Sequence, residues 1–259
     1  MNICDSVAMQ HLNLADINAY LQKTLLVDRF PASEQGGIYR ASDRPIRRLG
    51  LALDPPPQLA DWVRAEQLDA LWLHRPWRVE LEQLSADIGI LHQHLPFDEH
   101  LTMGMNPRLA DLMGLINVAE FGYKRAPDDL GNPMPPRPIG MIGDALLRPF
   151  TDWVSFVEHA FTGFDRAEWG YDPMPTRVVV AGVMNSELIR EAYERGASLY
   201  LTGEYRTGAQ PAVEETGMAV IAIGHRRTEE WGLRMLKKML RRQWPELEVF
   251  VAAGSETTP

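Results

Sequence analysis

RRLGLALDPPPQLADWVRAEQLDALWLHRP, residues 47–76, is the stretch that decides the fold class. Its first eight residues are a short apolar run halted by Pro55, Pro56 and Pro57. The run reads as a strand, because proline cannot extend the hydrogen-bond ladder. QLADWVRAEQ (58–67) carries apolar residues at helical spacing, and LDALWLH (68–74) is a buried-strand run closed by Pro76. Strand, helix and strand in so short a span make a β–α–β unit, which predicts a parallel pair. His74 is left where the second strand stops, the end at which ligands gather in open α/β sheets.

The same rhythm extends in both directions. ADINAYLQKTLL (15–26) reads as a helix behind Asp16, ending before the turn-rich PASEQGG. SADIGILHQHLPFDEHL (85–101) adds a second run that delivers His92, His94, Asp98, Glu99 and His100, much of it read as a solvated loop. NPRLADLMGL (106–115) is a helix with Pro107 in its first turn. APDDLGNPMPPRP (126–138), with five prolines, reads as a linker or crossing between lobes. Beyond it, DWVSFVEHAF (152–161) is a helix, TRVVVAG (176–182) a strand, and SELIREAYERG (186–196) a helix with Ser186 as its N-cap. ASLYLTGE (197–204) is a strand, AQPAVEETG (209–217) a short helix and MAVIAIG (218–224) a strand. A long helix over 228–244 places Trp231, Met235, Leu236, Met239 and Leu240 at core-like spacing, and LEVFVAA (247–253) closes the chain as a strand. The expectation is an α/β protein of two similar-sized lobes, 1–125 and 126–259. Mixed, largely parallel sheets are flanked by helices, and a metal or ligand cleft lies between the lobes.

Composition narrows the function classes. A net charge of −9 argues against a general nucleic-acid or membrane-surface binder. A lone cysteine, Cys4, excludes an internal disulfide framework and fits a reducing compartment. The N-terminal residues do not read as a signal peptide, and no run approaches the roughly 20 apolar residues of a membrane span. The expectation is a cytoplasmic protein. No G-x-S-x-G or phosphate-loop glycine pattern occurs.

The residues with chemistry lie in IAIGHRRTEEWG (221–232). His225 and Glu229 straddle a helix start at i, i+4 spacing, so both can face one point. Imidazole with carboxylate suits Zn²⁺, Fe²⁺ or Mn²⁺. In isolation the pair is weak, since acidic residues favour helix N-termini for other reasons.

Set in order, these segments resemble the NIF-three-like family, dinuclear-metal proteins that assemble as hexameric toroids and are often named GTP cyclohydrolase 1 type 2 homologs. LGLALDPPPQLADWVRAEQLDALWLHRP is similar to the family's strand–helix–strand leading to His-His-Pro. FDEHLTMGMNPRLADLMGL resembles its His-Thr-Asn-Leu-Asp segment. AVIAIGHRRTEEWG matches its Gly-His-x-x-Thr-Glu block, and the ending GSETTP is like the family's tail. The resemblance implies metal ligands at His74, His100, His225 and Glu229. Two of the family's ligands are missing, with Arg75 in place of a second histidine and Gly104 in place of the aspartate. The glycine-rich turn after RVVVAG is also altered, to Val183-Met184-Asn185.

A guanidinium has no lone pair for a metal, and its fixed charge repels a second cation. The expectation is therefore one divalent transition metal per chain rather than two. Glu229 would serve as ligand or general base, and Arg75 and Arg226 would hold a small anionic substrate. The resemblance further implies a homo-oligomer, a hexamer. The leading reading is a metal-dependent hydrolase acting on a phosphorylated or nucleotide-like small molecule through a metal-activated water. The other reading is a non-catalytic scaffold or anion binder in which Arg75, Arg78, Arg206, Arg226 and Arg227 converge as a basic cleft.

Overall fold

The computed structural model describes residues 11–252, so Cys4 and the GSETTP ending lie outside the described residues. The elements run α1 (Leu14–Thr24), β1 (Gly37–Arg40), β2 (Arg48–Ala52), α2 (Leu59–Ala65), β3 (Ala70–Leu73) and β4 (Gly89–His92). They continue with α3 (Leu95–Leu101), α4 (Pro107–Met113), β5 (Ile116–Lys124), β6 (Arg137–Asp144), α5 (Phe150–Phe161), β7 (Arg166–Glu168) and β8 (Arg177–Ala181). The chain then passes through α6 (Ser186–Glu194), β9 (Leu199–Thr202), α7 (Gln210–Thr216), β10 (Ala219–Ala222), α8 (His225–Gln243) and β11 (Glu248–Val251). No helix among the described residues is long and apolar enough to cross a membrane.

Two sheets result, in an α/β architecture flanked by helices. The first has strand order β1-β4-β3-β2-β11, parallel except for β1 at its edge. The second has order β5-β6-β8-β9-β10-β7, with β8, β9 and β10 parallel and the remaining pairs antiparallel. Period-2 alternation gives each sheet two buried faces. In β3, Ala70 and Trp72 enter a core with α1 and α8, while Leu71 and Leu73 face Leu59 and Val63 of α2. In β8, Val178 and Val180 pack with Trp153, Val157 and Phe161 of α5, while Val179 and Ala181 pack with α6 and α7.

Several expectations need correction. The proline-rich stretch 126–138 links no lobes, because it is the turn of a hairpin whose strands β5 and β6 pair antiparallel. Those strands give a poor period signal: β5 is mostly exposed, and β6 holds Pro138, Gly140 and Gly143. Gly140 is demanded by packing, since a Cβ there would lie 2.6 Å from the Val180 carbonyl. The closing strand β11 joins β2 in the first sheet, and β5 belongs to the second, so the sheets do not divide the chain at 125/126. Residues 95–101 are helical rather than a loop. The cap of α6 is Asn185, whose side chain accepts from the Leu188 amide, rather than Ser186.

Helix α8 ties the sheets together. Trp231 enters the core of the second sheet, while Leu233, Leu236, Met239 and Leu240 enter that of the first. It crosses α3 at Gly232, where a Cβ would lie 2.7 Å from the Leu101 carbonyl and 2.9 Å from the Phe97 ring. Close approach here sets how far the side chains of α3 stand from the first turns of α8. Gly232→Ala should lower the denaturant-measured stability by about 1–3 kcal/mol through overpacking, outweighing the ~1 kcal/mol gain in helix propensity. A variant as stable as the parent would show that the two helices are free to part.

Candidate metal centre

The carboxyl ends of parallel strands from both sheets face one another, and the chemistry collects between them. His74 follows β3 and is fully buried. Its Nδ1 lies 2.9 Å from the Gln93 carbonyl, which can only accept, so this nitrogen carries the proton. Gln93 is itself fixed, because its side chain accepts from the Trp72 indole at 2.5 Å. Nε2 of His74 is thereby left as a lone pair directed at two carboxylates, 3.3 Å from Asp98 Oδ1 and 3.2 Å from Glu229 Oε1. Neither approach has hydrogen-bond geometry, and both Nε2 and Asp98 Oδ1 are buried without a partner among the described residues. Three acceptors meeting at one point require a cation between them, either a proton or a metal ion. Without a metal, burial opposes charging His74, but Asp98 and Glu229 outweigh it and raise its pKa to about 9.

His94, two residues past β4, completes the donor set. Its ring centroid is 4.7 Å from that of His74, and its Nε2 is 3.6 Å from Asp98 Oδ2. One donor atom each from His74, His94 and Asp98 lie within 4.8 Å of one another. Two imidazoles and a carboxylate fit a divalent transition metal, and three protein ligands leave a coordination position open, as catalytic sites require.

Glu229 stands beside this group, only 1% exposed. Arg75 reaches both its oxygens, Nη1 to Oε1 at 2.6 Å and Nη2 to Oε2 at 2.9 Å. His225 Nε2 approaches Oε1 at 3.1 Å from the exposed side. Burial alone would favour the neutral acid, but the neighbouring His225, His74 and Arg75 hold this carboxyl far below the usual range. Arg75 also grips Asp54 at 2.9 Å, and Arg226 meets the same aspartate at 3.4 Å and Glu230 at 3.1 Å.

The structure therefore brings His74, Arg75, His225 and Glu229 together, with Arg226 at the rim. His100 stands apart, on another face of α3, edge-on to Phe30 with centroids 6.2 Å apart. The residues that the sequence names but does not assign as ligands are His94 and Asp98. Their His-x-x-x-Asp spacing is the one sought at 100 and 104, found six residues earlier and immediately after a strand. Gly104 is glycine for a local reason, since a Cβ would lie 2.1 Å from the Glu99 carbonyl. The five arginines do not form one basic cleft. Arg227 is bound to Asp165 and Arg206 to Glu204 at 2.6 Å, away from Asp54.

Beside the donor group lies a cleft of about 190 Å³, bordered by Asp98, Thr102, Lys124, Gly203, His225 and Thr228, among others. His100 offers a pH test of its separate role. Burial first, then the charge of Arg29, lowers its pKa to about 4 from 6.5. Between these values the unfolded chain binds a proton that the folded chain refuses, so stability should fall as pH drops from 6.5 towards 4, by up to roughly 3 kcal/mol. His100→Gln should flatten this acid limb in urea titrations while leaving metal content unchanged; loss of metal would make His100 a ligand after all.

Known proteins place the chain. The family model for Duf34/NIF3 (NGG1p interacting factor 3) matches residues 12–259. A Pyrococcus abyssi protein named GTP cyclohydrolase 1 type 2 homolog is 26% identical over 251 residues, covering 91% of this chain and 96% of its own. Among solved structures, hypothetical protein SA1388 of Staphylococcus aureus superposes with a TM-score of 0.72 at 14% identity, covering 96% and 99% of the two chains. A Bacillus cereus protein related to NIF3 gives 0.70 at 14%, covering 94% and 97%. The structural likenesses carry the fold alone, and with the match of almost the whole chain they lead to one assignment: this protein belongs to the Duf34/NIF3 family.

Proposed function

We propose that the protein is a metal-dependent hydrolase of small phosphorylated molecules, working with one divalent ion rather than two. The observation that carries this reading is the meeting of unpartnered acceptors, His74 Nε2 and Asp98 Oδ1, beside His94 at the edge of a cleft. A divalent cation there would supply Lewis acidity and lower the pKa of a water towards neutrality. His74, His94 and Asp98 are the residues that would hold it. Glu229 is the neighbouring carboxylate, and Arg75 satisfies both of its oxygens with a charge that cannot be titrated away. A second cation would have to displace that guanidinium or sit against it.

His225 completes the chemistry. Its side chain is 61% exposed, borders the cleft, and is oriented by Glu229 as a base is oriented by the third member of a triad. It takes the proton of the attacking water and returns it to the departing oxygen, so one P–O bond forms as another breaks. Arg226 at the rim screens the entering anion, and assembly into a homo-hexamer is part of the same reading. The scaffold alternative is disfavoured by the carboxylates that already engage Arg75, Arg206, Arg226 and Arg227.

Elemental analysis of protein purified without chelators or a histidine tag should find about one zinc, iron or manganese per chain. His94→Ala and Asp98→Asn should each lose most of it, and Arg75→His should raise the count towards two. A count near two in the parent, or full retention in His94→Ala, refutes the single-ion centre. Phosphate release from phosphomonoesters should fall at least tenfold in Asp98→Asn.

A further inference from the structure

Glycine is retained where the backbone turns left-handed or where a Cβ has no room. Among the described residues all glycines but four meet one of these conditions, the exceptions being Gly143, Gly182, Gly203 and Gly208. A Cβ at Gly143 would already press on Leu115 Cβ at 3.2 Å, and Gly208 lies on an exposed turn with no atom within 4 Å of where its Cβ would stand. The other two follow adjacent parallel strands, Gly182 after β8 and Gly203 after β9, and both border the cleft beside the metal centre. A Cβ at Gly203 would touch nothing nearer than Thr228 Oγ1 at 3.7 Å, and one at Gly182 nothing nearer than Met103 Cβ at 4.0 Å. Neither packing nor backbone asks for glycine at these two positions. What their bare backbones leave is open floor, and a side chain on either would occupy it.

The remaining walls say what the floor is for. Leu95, Met103, Ile139 and Val183 supply apolar surface, and Lys124 supplies a cation with no ion pair among the described residues. The other charges near the cleft are matched: Glu99 by Arg137 at 2.8 Å, and Glu229 by Arg75. A divalent ion on Asp98 leaves one net positive charge, and Lys124 adds another. At about 190 Å³ the cleft is smaller than the roughly 300–1,000 Å³ that holds drug-sized ligands.

From these features we infer that the glycine-floored cleft is the substrate subsite for a small phosphate monoester. Its dianionic head lies between the metal centre and Lys124, and its short apolar body rests on Gly182 and Gly203 against Met103, Ile139 and Val183. The assignment rests on the hydrolase reading for the head group and narrows it from nucleotides to compounds about the size of phenyl phosphate. A nucleoside triphosphate is too large to be enclosed.

The test is calorimetric titration of the full-length, zinc-loaded protein with phenyl phosphate, inorganic phosphate and GTP. Phenyl phosphate should bind more tightly than the other two. Gly203→Val should weaken it at least tenfold, Gly203→Ala less, and Lys124→Met about tenfold, all with zinc content unchanged. Equal binding of phenyl phosphate and inorganic phosphate, or undiminished binding by a folded Gly203→Val variant, overturns the subsite. Tighter binding of GTP than of phenyl phosphate overturns the size limit. If the protein takes up no zinc, yet phenyl phosphate still binds and is lost in Gly203→Val, the hydrolase reading falls and the subsite stands.

Discussion

A carboxylate almost wholly withdrawn from water, Glu229, is the constraint around which the rest is arranged. Such a charge is tolerated only when it is matched, and stripping one partner from a buried pair costs on the order of 3–5 kcal/mol. Its partners come from different parts of the fold. Arg75 and His74 follow the third strand of the first sheet, and His225 lies one helical turn earlier on α8. Satisfying Glu229 therefore pins the start of α8 over the strand ends of the first sheet. The rest of that helix contributes to both cores, so one electrostatic requirement aligns two sheets.

Alignment of this kind puts the donor atoms where neither sheet could put them alone. Parallel strands leave their last residues at one end, and two such ends opposed across α3 and α8 make a wall of loop residues with little side-chain bulk. Gly232 lets α3 come close enough for Asp98 to reach His74, and Gln93 turns the ring so that its lone pair looks inwards. Within this frame Arg75 sets a fixed positive charge against the centre. A residue that neither binds a metal nor loses its proton stands against the carboxylate, which is a different electrostatic proposition from a second titratable imidazole.

Much of this was legible beforehand, for identifiable reasons. The β2–α2–β3 unit and α8 announce themselves because their buried faces repeat at fixed periods. The β5–β6 hairpin does not, since one strand is largely exposed and the other carries two glycines, of which Gly140 is set by contact with β8. LEVFVAA reads correctly as a strand, but which sheet receives it depends on a pairing 200 residues distant, between Arg48 and Glu248. At the site, His74, His225 and Glu229 could be found because each follows a strand or opens a helix. His94 and Asp98 have the same signature, i, i+4 spacing directly beyond a strand, but the family's register falls on His100 instead. Arg137, buried across from Glu99 and stacked on Phe30, had no local signal.

The position of β11 has a consequence for how the chain is made. The first sheet opens near the start of the sequence, yet the edge beside β2 is covered only by residues 248–251, and one of its faces is shared between α1 and the late helix α8. During synthesis the early strands leave the ribosome with a bare edge and an apolar face that α1 covers only in part. They must wait for α8 and β11, which begin only at His225 of the 259 residues, and contacts of such separation form slowly. His74, His94 and Asp98 wait with them, because Glu229 and its helix arrive on that same late segment. Closing the sheet and completing the cluster of donor atoms are thus one event, set by the C-terminal end of the described chain.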